Sequence, residues 1–412
     1  MVYGKRYKNG LRLVVKKMEG LLSVTAGILV GTGAAEETDR EDGISHFIEH
    51  MQFKGTATRS AFELSDAFDR IGAQVNAFTG KDITCYYAKC TSDHTSEAFA
   101  LLSDLFLNST FPEEEAAREK GVVVEEISMN EDTPDELCFD VLSHALYGTE
   151  NYGRNILGTK ENVCGFTKED ILRYKAARYC PQNIVISFAG GIDFATAEAL
   201  VDKYFSALPT EKFEKRDKQI EFKCQSLIRT KPVEQIHLAI GYPSLEREHP
   251  LADALQAMNA VLGGGMSSRL FQEVREKLGL AYSVYSYVSP FTECGSLIVY
   301  AGVSPANAEK AYDAIDQCVS TLLKEGLTEE EFLRGREQMK SSMLFSQEST
   351  PSQMLMYGKY MLFNDTLFDF DDKLDKMNKI TLDDVMESAR LTFASGKKAV
   401  GAVGNREKPF SL

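Results

Sequence analysis

Hydrophobic and polar positions change their spacing along the chain, and these changes predict a series of short strands and longer helices. The N-terminal segments "GLRLVVKKM" and "LLSVTAGILVG" are typical of strands, and a helix that carries "HFIEH" follows them. The segment "SAFELSDAFDRIG" has helical spacing, with Ser60 and Glu63 in a capping box at its start and Gly72 at its end. The alternating segments "AQVNAFTG" and "DITCYYAKC" predict two further strands.

The second half of the chain repeats this order of elements. In the first half, helices dominate residues 92–147, another helix begins at Thr167, and the strand "NIVISFAGG" precedes the helix "DFATAEALVDKYFSAL". In the second half, the strand "EQIHLAIGYP" is followed by the helices "HPLADALQAMNAVLGGG" and "SSRLFQEVREKLG" and by the strands "AYSVYSYVSP" and "GSLIVYAGV". Helices then cover residues 307–393, and the strand "KAVGAVG" ends the pattern.

Two glycines indicate that the repeat is an internal duplication. Gly72 and Gly279 each end a helix just before a strand, and they lie 207 residues apart in a chain of 412 residues. The polar stretch at residues 209–222 has poor apolar periodicity and predicts a linker. We therefore expect an α+β fold of two homologous domains, residues 1–212 and 222–412, each a mainly antiparallel sheet packed with helices.

The segment "HFIEH" places two histidines one helical turn apart. Side chains at positions i and i+4 of a helix share a face, so His46 and His50 can direct both imidazoles at one ion. Zinc accepts neutral imidazoles together with a carboxylate and keeps a fourth position for water, which becomes acidic near neutral pH. Glu49 lies on the same helix and is the predicted base for the water proton. The alternative interpretation is a pair of surface histidines on an amphipathic helix.

A third ligand is expected from a carboxylate on a separate helix. The segment "FPEEEAAREKGVVVEEISMNEDTPDEL" predicts such a helix, with two adjacent candidates, Glu125 and Glu126. Adjacent helical residues differ in direction by about 100°, so only one of them can face the metal, and spacing does not choose between them. The second half has Asp253 and Ala257 at the positions that correspond to the histidines, so it lacks this site.

Composition narrows the class of protein. Apolar residues make up 43% and charged residues 26% of the chain, which is typical of a globular protein and excludes a disordered one. The formal charge of −15 argues against nucleic-acid binding, because phosphates require basic partners. The cysteines are scattered and form no C-x-x-C pair, which favours reduced thiols, and no apolar stretch is long enough to span a bilayer. We therefore expect a cytoplasmic protein without a membrane span.

Four segments resemble the inverzincin metallopeptidases of the pitrilysin and insulin-degrading-enzyme superfamily, in particular the short branch that includes the mitochondrial processing peptidase β subunit and its bacterial relatives. They are "GISHFIEHMQFKGT", "DRIGAQVNAFTGKDITCYY", "VVVEEISMNEDTPDE" and "GGGMSSRLFQEVREKLGLAYSVYS". The resemblance implies one zinc ion per chain. In this family the third ligand lies 76 positions after the second histidine, which implies Glu126, and a supporting glutamate lies seven positions earlier, which implies Glu119.

The same resemblance implies how substrate is held. The segment "VNAFTG" is similar to the edge strand that receives an extended peptide through backbone hydrogen bonds, here at Asn76, Ala77 and Phe78. Arg275 and Tyr282 match an Arg–Tyr pair of the family, in which the tyrosine bonds the developing oxyanion. Because these groups come from both halves, we expect the two domains to close around substrate like a clamshell.

The predicted function is the hydrolysis of peptides or unfolded polypeptide segments by a zinc endopeptidase, with Glu49 as general base. Short members of the family associate in pairs, so the resemblance also implies a homodimer. The alternative is a non-catalytic scaffold or binding subunit of a processing-peptidase-like complex. Members of that kind have lost the metal motif, whereas every metal and proton-transfer position is filled in this sequence.

Overall fold

The computed structural model describes residues 1–210, 213–214, 216 and 218–412 and shows an α+β protein. The four remaining positions, 211, 212, 215 and 217, lie within the predicted linker at residues 209–222, so that part of the linker prediction lies outside the described residues. The chain forms two compact units, each built from three stretches. The first unit comprises Met1–Ile127, Asn155–Asp217 and Phe345–Phe368, and the second comprises Ser128–Arg154, Lys218–Leu344 and Asp369–Leu412.

The strands of the described residues form two sheets, one in each unit. The strands are β1 (Val2–Arg6), β2 (Arg12–Lys17), β3 (Ser23–Val30), β4 (Gln74–Thr79), β5 (Thr84–Thr91), β6 (Ile184–Gly190), β7 (Ser226–Thr230), β8 (Ile236–Ser244), β9 (Ala281–Pro290), β10 (Gly295–Val303) and β11 (Ala399–Gly404). The first sheet has the order β1-β2-β6-β3-β5-β4 and the second has the order β7-β11-β8-β10-β9. In each sheet one neighbouring pair is parallel, β2 with β6 and β7 with β11, and the other pairs are antiparallel.

Helices cover the faces of both sheets. The α-helices of the described residues are α1 (Ile44–Gln52), α2 (Ala61–Arg70), α3 (Thr95–Asn108), α4 (Glu113–Asp132), α5 (Pro134–Tyr147), α6 (Lys160–Gly165), α7 (Lys168–Arg178), α8 (Phe194–Phe205), α9 (Ala252–Gly263), α10 (Ala308–Glu325), α11 (Glu329–Ser346), α12 (Thr350–Asn364), α13 (Phe370–Lys379) and α14 (Leu382–Phe393). The predicted capping box of α2 is confirmed, since Ser60 accepts from the Glu63 N–H and the Glu63 side chain bonds back to Ser60.

The first sheet is covered on one face by a helix from the far end of the sequence. Helices α3 and α8 pack on the other face, where the rings of Phe99 and Phe188 lie 4.9 Å apart. Helix α12 approaches β3 and β6 closely at Gly358, which has no Cβ. A Cβ added there would meet the Leu29 side chain at 2.7 Å. The Ser187 hydroxyl also donates to the Met354 carbonyl oxygen at 2.7 Å. The first unit therefore includes a helix that lies beyond residue 345.

The second sheet is covered in the reciprocal way. Helices α9, α10 and α14 build the core on one face, and α5, from the first half of the sequence, covers the other. The Cys138 thiol donates to the His237 carbonyl oxygen at 3.2 Å, and a Cβ on Gly401 would meet the backbone of Leu142. The compact units thus exchange one helix each relative to the linear order, and the boundaries 1–212 and 222–412 stay a prediction.

Two local features bear on the functional residues. Gly72 and Gly279 both adopt positive φ, +63° and +60°, at the ends of their helices, as predicted for left-handed caps. The segment predicted as a helix before Gly279 is a π-helix over Phe271–Lys277. In so short a segment the apolar pattern does not distinguish the wider turns of a π-helix from those of an α-helix. None of the eight cysteines, all of which lie among the described residues, takes part in a disulfide. Within the described residues, every helix is too short or too polar to cross a bilayer.

Candidate metal centre

Helix α1 directs its two histidines and the glutamate between them away from the core. Its apolar positions, Ile44, Phe47, Ile48 and Met51, follow helical spacing and are fully buried. The opposite face therefore carries His46, Glu49 and His50 as a group, because residues three and four apart share a face.

Helix α4 brings a carboxylate to the two imidazoles. The Nε2 atoms of His46 and His50 lie 3.7 Å and 3.4 Å from the Glu126 Oε2. The three side chains offer ligand atoms that all lie within 4.8 Å of one another. Glu125, the adjacent candidate, is exposed and does not belong to this group.

The donor set fits zinc. Two imidazole nitrogens and one carboxylate oxygen leave one tetrahedral position open, which is the arrangement of catalytic zinc sites. Burial lowers the pKa of His46 to about 3, and the neighbouring His50 lowers it further, so His46 is neutral and has a lone pair to offer. Its Nδ1 is buried and has no hydrogen-bond partner among the described residues. These features favour metal coordination over a pair of surface histidines.

Glu119 holds the second imidazole from behind. Its Oε1 lies 2.8 Å from the His50 Nδ1, so His50 donates at Nδ1 and keeps the Nε2 lone pair for the side that faces Glu126. Burial lowers the pKa of His50, but the carboxylates of Glu119, Glu126 and Glu49 outweigh it and raise the pKa overall. Glu119 thus lies where a supporting residue for a metal ligand is expected.

Lys54 completes this chain of contacts and was missed by the sequence reasoning. Its Nζ lies 2.6 Å from the Glu119 Oε2. Burial raises the pKa of Glu119, whereas the bonds from His50 and Lys54 lower it and prevail, so Glu119 stays ionised. Lys54 lies two residues beyond the end of α1 at Gln52, so helix-face spacing does not indicate its contact with Glu119, and the only available signal was a basic residue shortly after His50.

Glu49 is oriented by a residue of the neighbouring edge strand. The Thr79 hydroxyl donates to the Glu49 Oε2 at 2.5 Å. Burial raises the pKa of Glu49, while the Thr79 bond and the nearby His50 act in the opposite direction without cancelling it. Thr79 stands in the quoted segment "VNAFTG", but its link to Glu49 spans 30 residues and no local pattern indicates it.

The predicted substrate strand lies at the edge of the first sheet. β4 pairs with β5, with Asn76 opposite Tyr87 and Ala77 opposite Tyr86, and no other described strand pairs with it. Asn76 is exposed, and its Oδ1 accepts from the Ala77 N–H at 2.8 Å. Phe78 faces the ammonium of Lys359, which lies 5.9 Å from the ring centroid. An unpaired edge of this kind is able to accept an extended peptide.

Arg275 and Tyr282 lie in the second unit and contact each other. The Arg275 guanidinium lies over the rings of Phe271 and Tyr282, 4.6 Å and 5.3 Å from their centroids. Tyr282 is 79% exposed, so its ring is available to a ligand. Their part in catalysis stays a prediction from the resemblance.

Family models match most of the chain. Residues 12–160 match the model described as insulinase (peptidase family M16), and residues 165–339 match the model described as the peptidase M16 inactive domain. The chain is 42% identical over 391 residues to the uncharacterized zinc protease YmxG of Bacillus subtilis, covering 94% of this chain and 95% of that protein. It is 36% identical to an uncharacterized zinc protease of Streptomyces coelicolor, covering 92% and 85% of the two chains.

Solved structures share the fold at low sequence identity. A crystal structure from Pseudomonas fluorescens, described as a peptidase M16 inactive domain, superimposes with a TM-score of 0.91 at 22% identity over the whole of both chains. A protease from Helicobacter pylori also gives a TM-score of 0.91 at 22% identity, covering 98% of this chain and 99% of that one. At this identity the likeness concerns the fold alone.

Proposed function

Because the chain belongs to peptidase family M16, we propose that it is a zinc-dependent endopeptidase that hydrolyses peptides or unfolded polypeptide segments. The observation that carries the proposal is the convergence of the His46, His50 and Glu126 donor atoms within 4.8 Å, with Glu49 on the same helix face as the histidines. A scaffold protein would not require this combination. His46, His50 and Glu126 would hold the ion.

The protein residues divide the chemical tasks between them. When bound, zinc supplies a Lewis acid that polarises a peptide carbonyl and makes water a stronger acid. Glu49 takes the proton of the attacking water and passes it to the leaving nitrogen, and its raised pKa makes it a stronger base than an exposed carboxylate. Thr79 holds the Glu49 carboxylate through one oxygen and leaves the other for the water. Glu119 maintains the tautomer of His50.

Substrate would bind as an added strand. The free edge of β4 offers backbone groups around Asn76, Ala77 and Phe78, and pairing there would hold the scissile bond in an extended conformation. In keeping with the resemblance, we assign Tyr282 to hydrogen bonding of the developing oxyanion and Arg275 to binding of substrate carbonyls or carboxylates. The contact between the two side chains supports treating them as one functional pair.

The test uses the full-length, zinc-loaded protein and a library of quenched fluorescent peptides. The wild type should cleave members of the library, and Glu49→Gln should lower the rate by about 100-fold or more while retaining one zinc ion per chain. Glu125→Gln is the matched control, because it changes the neighbour of the third ligand, and it should keep zinc and activity. A wild type that cleaves no better than Glu49→Gln would favour the scaffold function instead.

The homodimer and the cytoplasmic location belong to the same proposal. The resemblance to short, two-repeat enzymes supports the dimer, and the lack of a disulfide among the described cysteines is compatible with a reducing compartment. Light scattering on the purified protein should give twice the chain mass of 45.8 kDa. A monomer at micromolar concentration would contradict the dimer without affecting the proposed chemistry.

A further inference from the structure

A buried glutamate holds the start of the helix that carries the histidines. Glu37 is fully buried in the segment between β3 and α1. Its Oε2 accepts from the Gly43 N–H at 2.7 Å, and its Oε1 accepts from the Ser45 N–H at 2.8 Å. Arg216 donates to the Glu37 carbonyl oxygen at 2.6 Å, which fixes the backbone of the same residue.

Helix α1 has no capping side chain of its own, and the geometry does not allow one. The first turn of a helix leaves N–H groups without helical partners, and the residue before the helix usually satisfies one of them. In α1 that residue is Gly43, which has a φ of +95°. A Cβ at Gly43 would meet the Leu157 carbonyl oxygen at 2.7 Å. The acceptor must therefore come from elsewhere in the chain, and Glu37 supplies it.

The same turn is fixed at a second point. The Ser45 hydroxyl lies 2.8 Å from the Tyr174 hydroxyl, which in turn lies 2.9 Å from the Thr32 hydroxyl. Ser45 is the residue immediately before His46. The backbone at the first metal ligand is thus held from the loop by Glu37 and from α7 by Tyr174.

The two histidines differ in how their orientation is set. His50 is held through its side chain by Glu119, whereas His46 Nδ1 has no hydrogen-bond partner in the part of the chain that the structure describes. The direction of the His46 imidazole therefore depends on where the backbone of the first turn lies. A displacement of that turn would move His46 away from Glu126 while His50 stayed in place.

We propose that Glu37 is a positioning residue for the metal centre, which holds the first turn of α1 where His46 meets Glu126. This inference rests on the proposed function. Burial raises the pKa of Glu37 to about 8, against the effect of the Ser45 and Gly43 donors. Both protonation states of a carboxyl group present an oxygen to each N–H group. An amide presents an oxygen to one and an NH₂ group to the other, so glutamine cannot replace it.

The experiment compares Glu37→Gln with Asp193→Asn in the full-length protein. Asp193 caps α8 in the same unit by accepting from the Thr196 N–H at 2.8 Å, so it matches Glu37 as a cap without serving α1. Zinc affinity is measured by competition with a chelator, and kcat and KM with the best-cleaved peptide of the library. Glu37→Gln should bind zinc about 10- to 100-fold more weakly and lose kcat without a change in KM. Asp193→Asn should change neither.

A second variant keeps the test decisive if Glu37→Gln does not fold. Tyr174→Phe removes only the hydroxyl next to Ser45 and should lower zinc affinity by several-fold while circular dichroism stays unchanged. If both variants bind zinc as tightly as Asp193→Asn does, the positioning role is wrong. If the wild type itself binds no zinc, the proposed function fails. If the wild type binds zinc and Glu37→Gln binds it equally tightly, only the positioning role fails.

Discussion

Helix α1 of the first unit and helix α9 of the second occupy corresponding places in the two repeats, but α1 carries a polar side chain at a position where α9 carries an apolar one. The offset of the repeats aligns His50 with Ala257 and Lys54 with Val261. The long helices α4 and α11 both begin with three glutamates, at Glu113 and Glu329, and the sixth residue after each first glutamate is Glu119 in α4 and Gly335 in α11. The comparison therefore concerns three aligned positions in each unit.

Those positions make contact in both units, but with different consequences. In the first unit, His50, Glu119 and Lys54 form a chain of charged hydrogen bonds at 2.8 Å and 2.6 Å. In the second unit, a Cβ on Gly335 would meet both the Ala257 carbonyl oxygen and the Val261 side chain at 2.7 Å. The second unit thus closes the space with tight backbone packing.

The difference teaches that this fold does not need the polar contacts. Helix α9 buries Ala257 and Val261 in the core of the second unit, and the sheet order and helix placement remain. Buried charged groups are costly unless they are fully paired. The second unit forms the same architecture without such charged groups. Their presence in the first unit therefore indicates that they serve function and not folding.

Replacement of His50, Lys54 and Glu119 by the aligned residues of the second unit should have the largest effect on zinc affinity. The triple variant His50→Ala, Lys54→Val, Glu119→Gly gives the first unit the residues of the second. We expect zinc affinity to fall by about 1000-fold or more, because one ligand and its support are lost. Urea denaturation in the presence of chelator should still show a folded protein, in line with the second unit. A variant that retains one zinc ion per chain would contradict the metal site.

The tight packing of the second unit gives a large effect on stability. Gly335→Ala places a methyl group 2.7 Å from the Ala257 carbonyl oxygen and should lower the free energy of unfolding by about 1–3 kcal/mol. Gly121→Ala in α4 is the control, since its added Cβ meets nothing within 4 Å, and it should raise the free energy of unfolding by about 1 kcal/mol. Equal effects in urea denaturation would show that packing against α9 does not matter.

Substitution of Lys54 tests whether the contacts that hold His50 in place extend beyond Glu119. Lys54→Met removes the partner of the Glu119 Oε2 and should weaken zinc binding by about 10-fold, because Glu119 then holds His50 less firmly. Lys54→Arg keeps a cation at this point and should restore most of the affinity. Chelator competition measures both variants, and a Lys54→Met affinity equal to that of the wild type would limit the support to Glu119.

The comparison also applies to the far end of the two helices. Helix α9 ends at Gly263, packed on Ser286, whereas α1 ends at Gln52, whose side-chain oxygen accepts from Lys175 at 3.2 Å. The Lys175 ammonium is enclosed by the rings of Phe106, Phe111 and Tyr179, at 5.7, 4.9 and 5.4 Å. This enclosure lowers the pKa of Lys175 from 10.5 to about 7 through loss of hydration.

The lowered pKa predicts a pH dependence of stability. Between about pH 7 and 10.5 the unfolded chain keeps the Lys175 proton that the folded protein releases, so the free energy of unfolding should rise with pH, by about 1.4 kcal/mol per pH unit. Below about pH 7 both states are protonated and this contribution stays constant. Lys175→Met should flatten the rise between pH 7 and 9 in urea denaturation. The same slope in both proteins would assign it to other groups.

Parts of the site were predictable because they depend on local geometry. The i, i+3, i+4 spacing of His46, Glu49 and His50 defines a common helix face wherever that helix lies. The capping box of α2 and the glycine ends at Gly72 and Gly279 are likewise properties of a few adjacent residues. Spacing alone left Glu125 and Glu126 open, because both lie on one helix and only its rotation about its axis separates them.

The sequence by itself therefore determined the α+β class, the duplicated order of elements and the histidine-bearing helix, since hydrophobic periodicity and helix geometry act over a few residues. The tertiary structure alone decided that α5 covers the second sheet and α12 the first, because an apolar helix face specifies that it is buried but not against which sheet. It also decided the contacts of Glu119 with His50, 69 residues apart, and of Thr79 with Glu49. Such contacts depend on how distant elements pack, which no short-range pattern records.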